Sequence, residues 1–320
     1  MKRDEYRVIV ASIRPADLLK WISAWGWDRD KLIIVEDLPR KSDLGAYFPN
    51  HFSHSEIDAE LGDNSWIIPR KTSAIKSFGV YVAYRQNVDW VIVLDDDCYP
   101  TADKESFVSH HFQNLNRQVD LNWVATGDQY TRGYPYFIRG KSEVILSHGL
   151  WDLYPDYDAV MSLARPGLPF NGQDQVIPRW NFFPMCGMNV AFNIKIAPLM
   201  YFGLQGLGYP FDRFDDIWCG VFAKKIIDHL GLAVFSGQPA IQHTKLSNLL
   251  VNLRKEAPGI EENESVWQAV QAVVLTKKDI IPMARELFEN VMLESDFWAK
   301  YRKAALTWLN LFDPTNNVNG

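Results

Sequence analysis

The sequence predicts an α/β protein, with a mostly parallel sheet flanked by crossover helices and a layer of helices at its C-terminal end. Three observations predict it. The first hundred residues alternate short β-branched runs with segments of helical spacing. Polar residues (Arg14, Asp37 and Asp95–Asp97) fall just beyond the ends of those runs. From about residue 262 onward every apolar pattern has the helical period.

In order along the chain, "YRVIVAS" (Tyr6–Ser12) reads as a buried strand and Asp17–Trp25 as a helix. "KLIIVED" (Lys31–Asp37) reads as a second strand, Lys71–Tyr84 as a helix, and "WVIVLDDD" (Trp90–Asp97) as the third strand. Residues 130–190 are rich in Pro, Gly and aromatic side chains, as in "RGYPYFIRG" and "FFPMCGMN". They read as a long loop-rich stretch, which inside a compact domain is more often functional than idle. "DRFDDIW" then opens a helix capped by Asp215 or Asp216, with apolar residues at Ile217, Trp218, Val221, Phe222, Ile226, Ile227 and Leu230 and a stop at Gly231. "LAVFSG" and "PAIQHT" read as two further short strands. "SVWQAVQAVV", "IIPMARELFENVM" and "FWAKYRKAALTWLNLF" are amphipathic helices. The expected division is a sheet domain over 1–260 and a helical extension over 261–320 packed on it. The last segment, rich in Trp and Leu, could equally serve as a subunit interface in a homo-oligomer.

Composition bounds the function. With 320 residues, 47% of them hydrophobic and 22% charged, the chain can bury a sizeable core. A net charge of −6 argues against a nucleic-acid or anionic-membrane surface, leaving room only for a local basic pocket. No apolar run approaches the roughly 20 residues that span a bilayer. "MKRDEYRVIV" enters a strand at once, leaving no room for a signal peptide. Cys98, Cys186 and Cys219 are odd in number and lack metal-knuckle spacing, so they read as free thiols in a reducing compartment. A cytoplasmic protein is the expectation.

Several residue groups can carry chemistry. Alternation along a strand places Asp95 and Asp97 on one side and Asp96 on the other. Two carboxylates at an open sheet end suit Mg²⁺ or Mn²⁺, and the alternative is a solvated turn or helix cap. His243, in "IQHTKLSN", could complete a metal shell or sit hydrogen-bonded in the core, and Lys245 could pair with a phosphate oxygen. In "RKTSAIK", Ser73 and Lys76 lie three apart on one helix face beside Arg70 and Lys71, which suits an anionic or nucleobase ligand as well as it suits a solvated surface. Arg132 and Arg139 flank an aromatic turn, available for ordinary ion pairs or for gripping a phosphate.

The segments "DDDC" (Asp95–Cys98), "RGYP" (Arg132–Pro135), "SHGLW" (Ser147–Trp151), "PDYDA" (Pro155–Ala159), "FPMCGMN" (Phe183–Asn189), "DDIW" (Asp215–Trp218), "HTKLSN" (His243–Asn248) and "VNLRKE" (Val251–Glu256) occur in one order. Together they resemble the reversibly glycosylated polypeptides of plants, glycosyltransferase family 75, whose members include UDP-arabinopyranose mutases. The resemblance implies a GT-A-like nucleotide-binding sheet and a metal-dependent UDP-sugar enzyme that interconverts UDP-arabinopyranose and UDP-arabinofuranose. Two other outcomes of such a fold are transfer of the sugar to a separate acceptor and an inactive UDP-sugar-binding regulatory subunit. On this resemblance Asp95, Asp97 and His243 hold Mn²⁺ or Mg²⁺. Arg14, Asp37, Lys71 and Ser73 line the uridine pocket, and Lys76, Asp96 and Lys245 also serve the nucleotide. Cys186, Gly187 and Asn189 lie against the sugar, and Asp215 or Asp216 approaches the reacting carbon. Arg132 and Arg139 fall on the family arginines associated with autoglycosylation. The chain departs from the family at Thr72, where an Asp is usual, in the shorter "TGDQYTRGYP", and in "RPGLPFNGQDQVIPRW".

Overall fold

The computed structural model describes residues 1–125, 129–244 and 248–313. Among these, the strands are β1 (Tyr6–Ser12), β2 (Leu32–Glu36), β3 (His51–Phe52), β4 (Trp90–Asp95), β5 (Cys98–Pro100), β6 (Gln118–Val119), β7 (Ser142–Leu153), β8 (Gln175–Val176), β9 (Asn189–Asn193) and β10 (Ala233–His243). The helices are α1 (Pro15–Trp25), α2 (His54–Leu61), α3 (Lys76–Arg85), α4 (Lys104–Leu115), α5 (Ala159–Ala164), α6 (Asp215–His229), α7 (Leu249–Ala272), α8 (Ile280–Asn290) and α9 (Asp296–Asn310).

The sheet runs β3-β2-β1-β4-β9-β7-β10-β5. β2 and β4 lie parallel to β1 on either side, β9 opposes both β4 and β7, and β10 is parallel to β7. The C-terminal ends of β1, β4, β7 and β10 therefore share one edge. Strand order reverses at β1, which opens a crevice between Ser12–Arg14 and Asp95–Asp97, the place where such sheets bind ligands. β1, β2 and β4 are buried on both faces, hence their near-continuous apolar runs. One face packs Trp21, Trp25, Phe107 and Val108 of α1 and α4, and the other packs α3, α6 and the C-terminal helices.

Three expectations need correction. The loop-rich stretch contains β7, a twelve-residue strand within the sheet. Its "SHG" interrupts the apolar pattern because Gly149 must admit the Asn189 side chain, where a Cβ would lie 2.0 Å from the amide nitrogen. "LAVFSG" and "PAIQHT" are one strand, β10, whose register shifts between Ser236 and Ala240, around Pro239, which has no N–H for the ladder. β4 ends at Asp95, so Asp96 and Asp97 belong to a turn and strand alternation does not set their directions.

The expected boundary near residue 260 falls inside α7, and the helices beyond it pack on the sheet. Val266, Met283, Trp298 and Trp308 share a core cluster with Ile9 of β1. The Trp- and Leu-rich face of α9 is turned into that core. Trp308 Nε1 donates to the Pro198 carbonyl at 2.9 Å, and the Phe312 ring beyond the helix packs against Tyr84 at 4.7 Å. No helix among the described residues is long and apolar enough to cross a membrane.

Candidate active site

At the crevice between β1 and β4 lies a cavity of about 400 Å³ lined by Arg14, Asp37, Lys71, Ser73 and Asp95–Asp97. Arg14 follows β1 directly and donates to Asp96 Oδ1 at 2.6 Å, while the Ser12 hydroxyl donates to Asp96 Oδ2 at 2.5 Å. Asp96 is thus held by basic and hydroxyl donors. Asp37, buried, accepts from the Thr72 backbone N–H at 2.9 Å and meets His54 Nε2 at 2.7 Å, so it fixes the loop that carries Lys71. Lys71 adopts a φ of 61°, in the left-handed region. Arg213 and Lys255 complete the lining, Lys255 paired with Asp212 at 2.8 Å.

A second cavity of about 220 Å³ adjoins the first through Ser73, Asp95, Asp97 and Arg213. It is strongly acidic, adding Asp156, Asp158, Asp215, Asp216 and Glu256. Asp215 and Asp216 open α6, where the helix dipole and free N–H groups favour carboxylates. Asp215 is buried and accepts from the Ser73 hydroxyl. Burial raises its pKa against the pull of Lys76 and Ser73. Asp216 accepts from Gly187 N–H at 2.7 Å and Ile217 N–H at 2.9 Å. Burial, then the charges of Asp215 and Asp156, push it up to about 8, so it keeps its proton at neutral pH.

Lys76 lies beneath both cavities, fully buried, donating to Asp95 Oδ1 at 2.8 Å and to the Gly187 carbonyl at 3.3 Å. Burial works against its charge, but Asp95, Asp215 and Asp216 outweigh it and raise its pKa. The close approach of α6 to "FPMCGMN" requires Gly220, where a Cβ would meet Met185 N at 2.7 Å and the Phe183 carbonyl at 2.8 Å.

The family model for "Reversibly glycosylated polypeptide" matches residues 1–316. The chain belongs to this family. Among curated proteins it is similar to "Probable UDP-arabinopyranose mutase 1" of Pisum sativum, 34% identical over 98% of this chain and 92% of that protein. It is also similar to "UDP-arabinopyranose mutase 3" of Arabidopsis thaliana, 33% identical over 100% of this chain and 94% of that one, and to "UDP-arabinopyranose mutase 1" of the same plant, 32% identical over 98% and 94%.

Not every expected site residue reaches the cavities. Arg132 and Arg139 precede β7 at its N-terminal end, whereas the cavities lie beyond its C-terminal end. At roughly 3.3 Å per residue the strand between them spans on the order of 35 Å. Arg132 is exposed there, and Arg139 donates to the Tyr134 carbonyl at 3.0 Å and packs on the Tyr136 ring at 3.8 Å. Asn189 is buried inside the sheet, bonded to the Leu150 and Pro239 carbonyls, and does not line the cavity. Cys186 is buried in the core, and burial, then Asp156, raises its thiol pKa. Gly187 contributes through its backbone. Lys245 lies outside the described residues.

The structure adds Asp156, Arg213 and Glu256. Arg213 donates from Nε to Glu256 Oε1 at 2.7 Å, and Glu256 also accepts from Ala159 N–H at 2.7 Å, so α7 anchors both sides of the acidic cavity. The signal was present: "PDYDA" and "VNLRKE" match the family, and Arg213 directly precedes "FDDIW".

The family resemblance implies a divalent cation, and the donors can be tested for it. His243 Nδ1 lies 3.0 Å from the Tyr154 carbonyl, which can only accept, so Nδ1 carries the proton and a neutral ring keeps its lone pair on Nε2. That nitrogen stands 4.0 Å from Asp97 Oδ2. Asp95 is engaged by Lys76, and among the described residues no three His, Cys, Asp or Glu side chains are grouped to hold an ion. Asp97 and His243 would be the two protein donors to a divalent ion, and substrate and water would have to supply its other ligands.

Proposed function

We propose that this chain interconverts UDP-arabinopyranose and UDP-arabinofuranose, the activity named for its plant relatives. The observation that carries the reading is a cavity lined by Asp156, Asp215 and Asp216, directly beside a crevice at the switch point of the sheet into which Arg14, Lys71, Arg213 and Lys255 bring cationic groups. UDP sits in the crevice, with Arg14, Lys71, Arg213 and Lys255 supplying positive charge to the diphosphate. The pentose occupies the acidic cavity.

Changing ring size replaces O5 by O4 on C1. The bond from C1 to the diphosphate breaks, its electron pair leaving with UDP, and the surrounding carboxylates stabilise the positive charge left on the sugar. O4 bonds to C1 and loses its proton, the C1–O5 bond opens and O5 gains one, and the phosphate oxygen returns to C1. Asp216 holds the proton that O5 receives, and the neighbouring Asp215 or Asp156 accepts the one that O4 releases. A divalent cation at Asp97 and His243, Mn²⁺ or Mg²⁺, would neutralise the leaving diphosphate. Arg132 and Arg139 take no step in this scheme. A guanidinium is a poor nucleophile, and theirs are a strand's length from the pentose. We also assign the chain to the cytoplasm, a location supported by its three free, buried cysteines.

Incubating the purified chain with UDP-arabinopyranose and Mn²⁺, without acceptor, should yield UDP-arabinofuranose resolvable by chromatography. Binding of UDP without any furanose product would sink the mutase reading.

A further inference from the structure

A third cavity, of about 470 Å³, opens from the acidic one through Asp156, Tyr157, Arg213 and His243. It shares only Arg213 with the nucleotide crevice, so the acidic cavity lies between the two. A UDP-pentose accounts for the crevice and the acidic cavity, and ring interconversion within one molecule needs no third chamber. This one has walls of a distinct chemistry. Trp151, Tyr154 and Phe170 present aromatic surface, and Asp152, Ser162 and Arg165 stand among them as hydrogen-bonding groups. Trp151 and Phe170 meet edge to face at 4.9 Å, and the Tyr157 hydroxyl donates to the Pro169 carbonyl at 3.0 Å, holding the outer wall in place. Flat apolar faces with a few directed polar groups suit a sugar ring, whose C–H face packs on an aromatic while its hydroxyls bond at the edge. Part of the wall, residues 165–170, belongs to the segment in which this chain departs from the plant pattern.

We propose that this cavity seats a saccharide acceptor, and that the chain also transfers the pentosyl group from UDP to a hydroxyl of that saccharide. In the step, the bond from C1 to the diphosphate breaks with its electron pair leaving on UDP. The acceptor oxygen bonds to C1, and its proton passes to Asp156, the one carboxylate that lines both cavities among the described residues. The inference rests on the UDP-pentose reading of the first two cavities.

The test supplies the full chain with radiolabelled UDP-arabinopyranose, Mn²⁺ and either xylobiose or cellobiose. Label should appear in a trisaccharide one pentose heavier than the acceptor. Phe170→Ala and Arg165→Ala should each lower the ratio of trisaccharide to UDP-arabinofuranose by about tenfold, a ratio that normalises for the amount of folded enzyme. Furanose formation with neither disaccharide extended, release of free arabinose in place of transfer, or an unchanged ratio in both variants would overturn the inference while leaving the mutase reading intact. Absence of UDP binding by calorimetry would remove the donor, and both readings would fall together.

Discussion

At Asp216 burial and two neighbouring charges act on one carboxyl, raising its pKa to about 8 from the usual carboxylate range. The folded chain therefore holds a proton that the unfolded chain has already lost between about pH 4 and about pH 8. Over that window the folded state binds more protons, so this group's contribution to stability falls as pH rises. Asp216→Asn removes the dependence. It should melt higher than the native chain at pH 8.5, by the equivalent of about 1–3 kcal/mol, with the gap closing toward pH 4. A calorimetric series over pH reads this directly. Furanose formation should drop by a factor on the order of 10² in the same variant, and in the native chain it should decline as pH rises through about 8. Of the site residues, the acidic triplet was legible because its carboxylates stand together after an apolar run. Arg213, Asp156 and Glu256 lie in or beside segments that match the family, but only the folded topology brings the three segments to one cavity. The distance of Arg132 and Arg139 from the cavities was not legible for a related reason: closeness to an aromatic turn says nothing about which end of a strand the turn occupies.

Among the elements, α6 carries the most chemistry, and its position depends on a missing side chain. Gly220 sits one turn beyond Asp216 with the backbone of Met185 and Phe183 against it. Gly220→Ala should cost about 1–3 kcal/mol through overpacking, visible as a lower urea midpoint. It should also reduce furanose formation more than that loss of folded protein explains, because the first turn of α6 must shift away from Gly187. The strands β1, β2 and β4 were legible from continuous apolar runs. β7 was hidden, since a strand crossed by neighbouring polar side chains loses its hydrophobic signature at those crossings. Pro239 makes β10 look like two strands in sequence, although the strand continues past it.

For the molecule as a whole, the C-terminal helices complete the core of the sheet. Trp308 is fully buried and its indole N–H satisfies the Pro198 carbonyl. Trp308→Ala should destabilise the protein by about 3–5 kcal/mol. Denaturation followed by circular dichroism should remain a single transition. Separate melting of a helical unit would instead restore the division near residue 260. That division looked plausible because the pattern changes period there, and period reports secondary structure without reporting which surfaces meet. Lys76 has a consequence of its own for the joined cavities. One ammonium group serves Asp95 in the crevice and, through the Gly187 peptide, the loop that holds Asp216. A ligand that draws Asp95 away from that ammonium changes the field felt by the α6 carboxylates. Thermodynamic reciprocity then requires that protonation in one cavity alter affinity in the other by the same factor. The nucleotide and the proton are in this sense two effectors of a single buried charge.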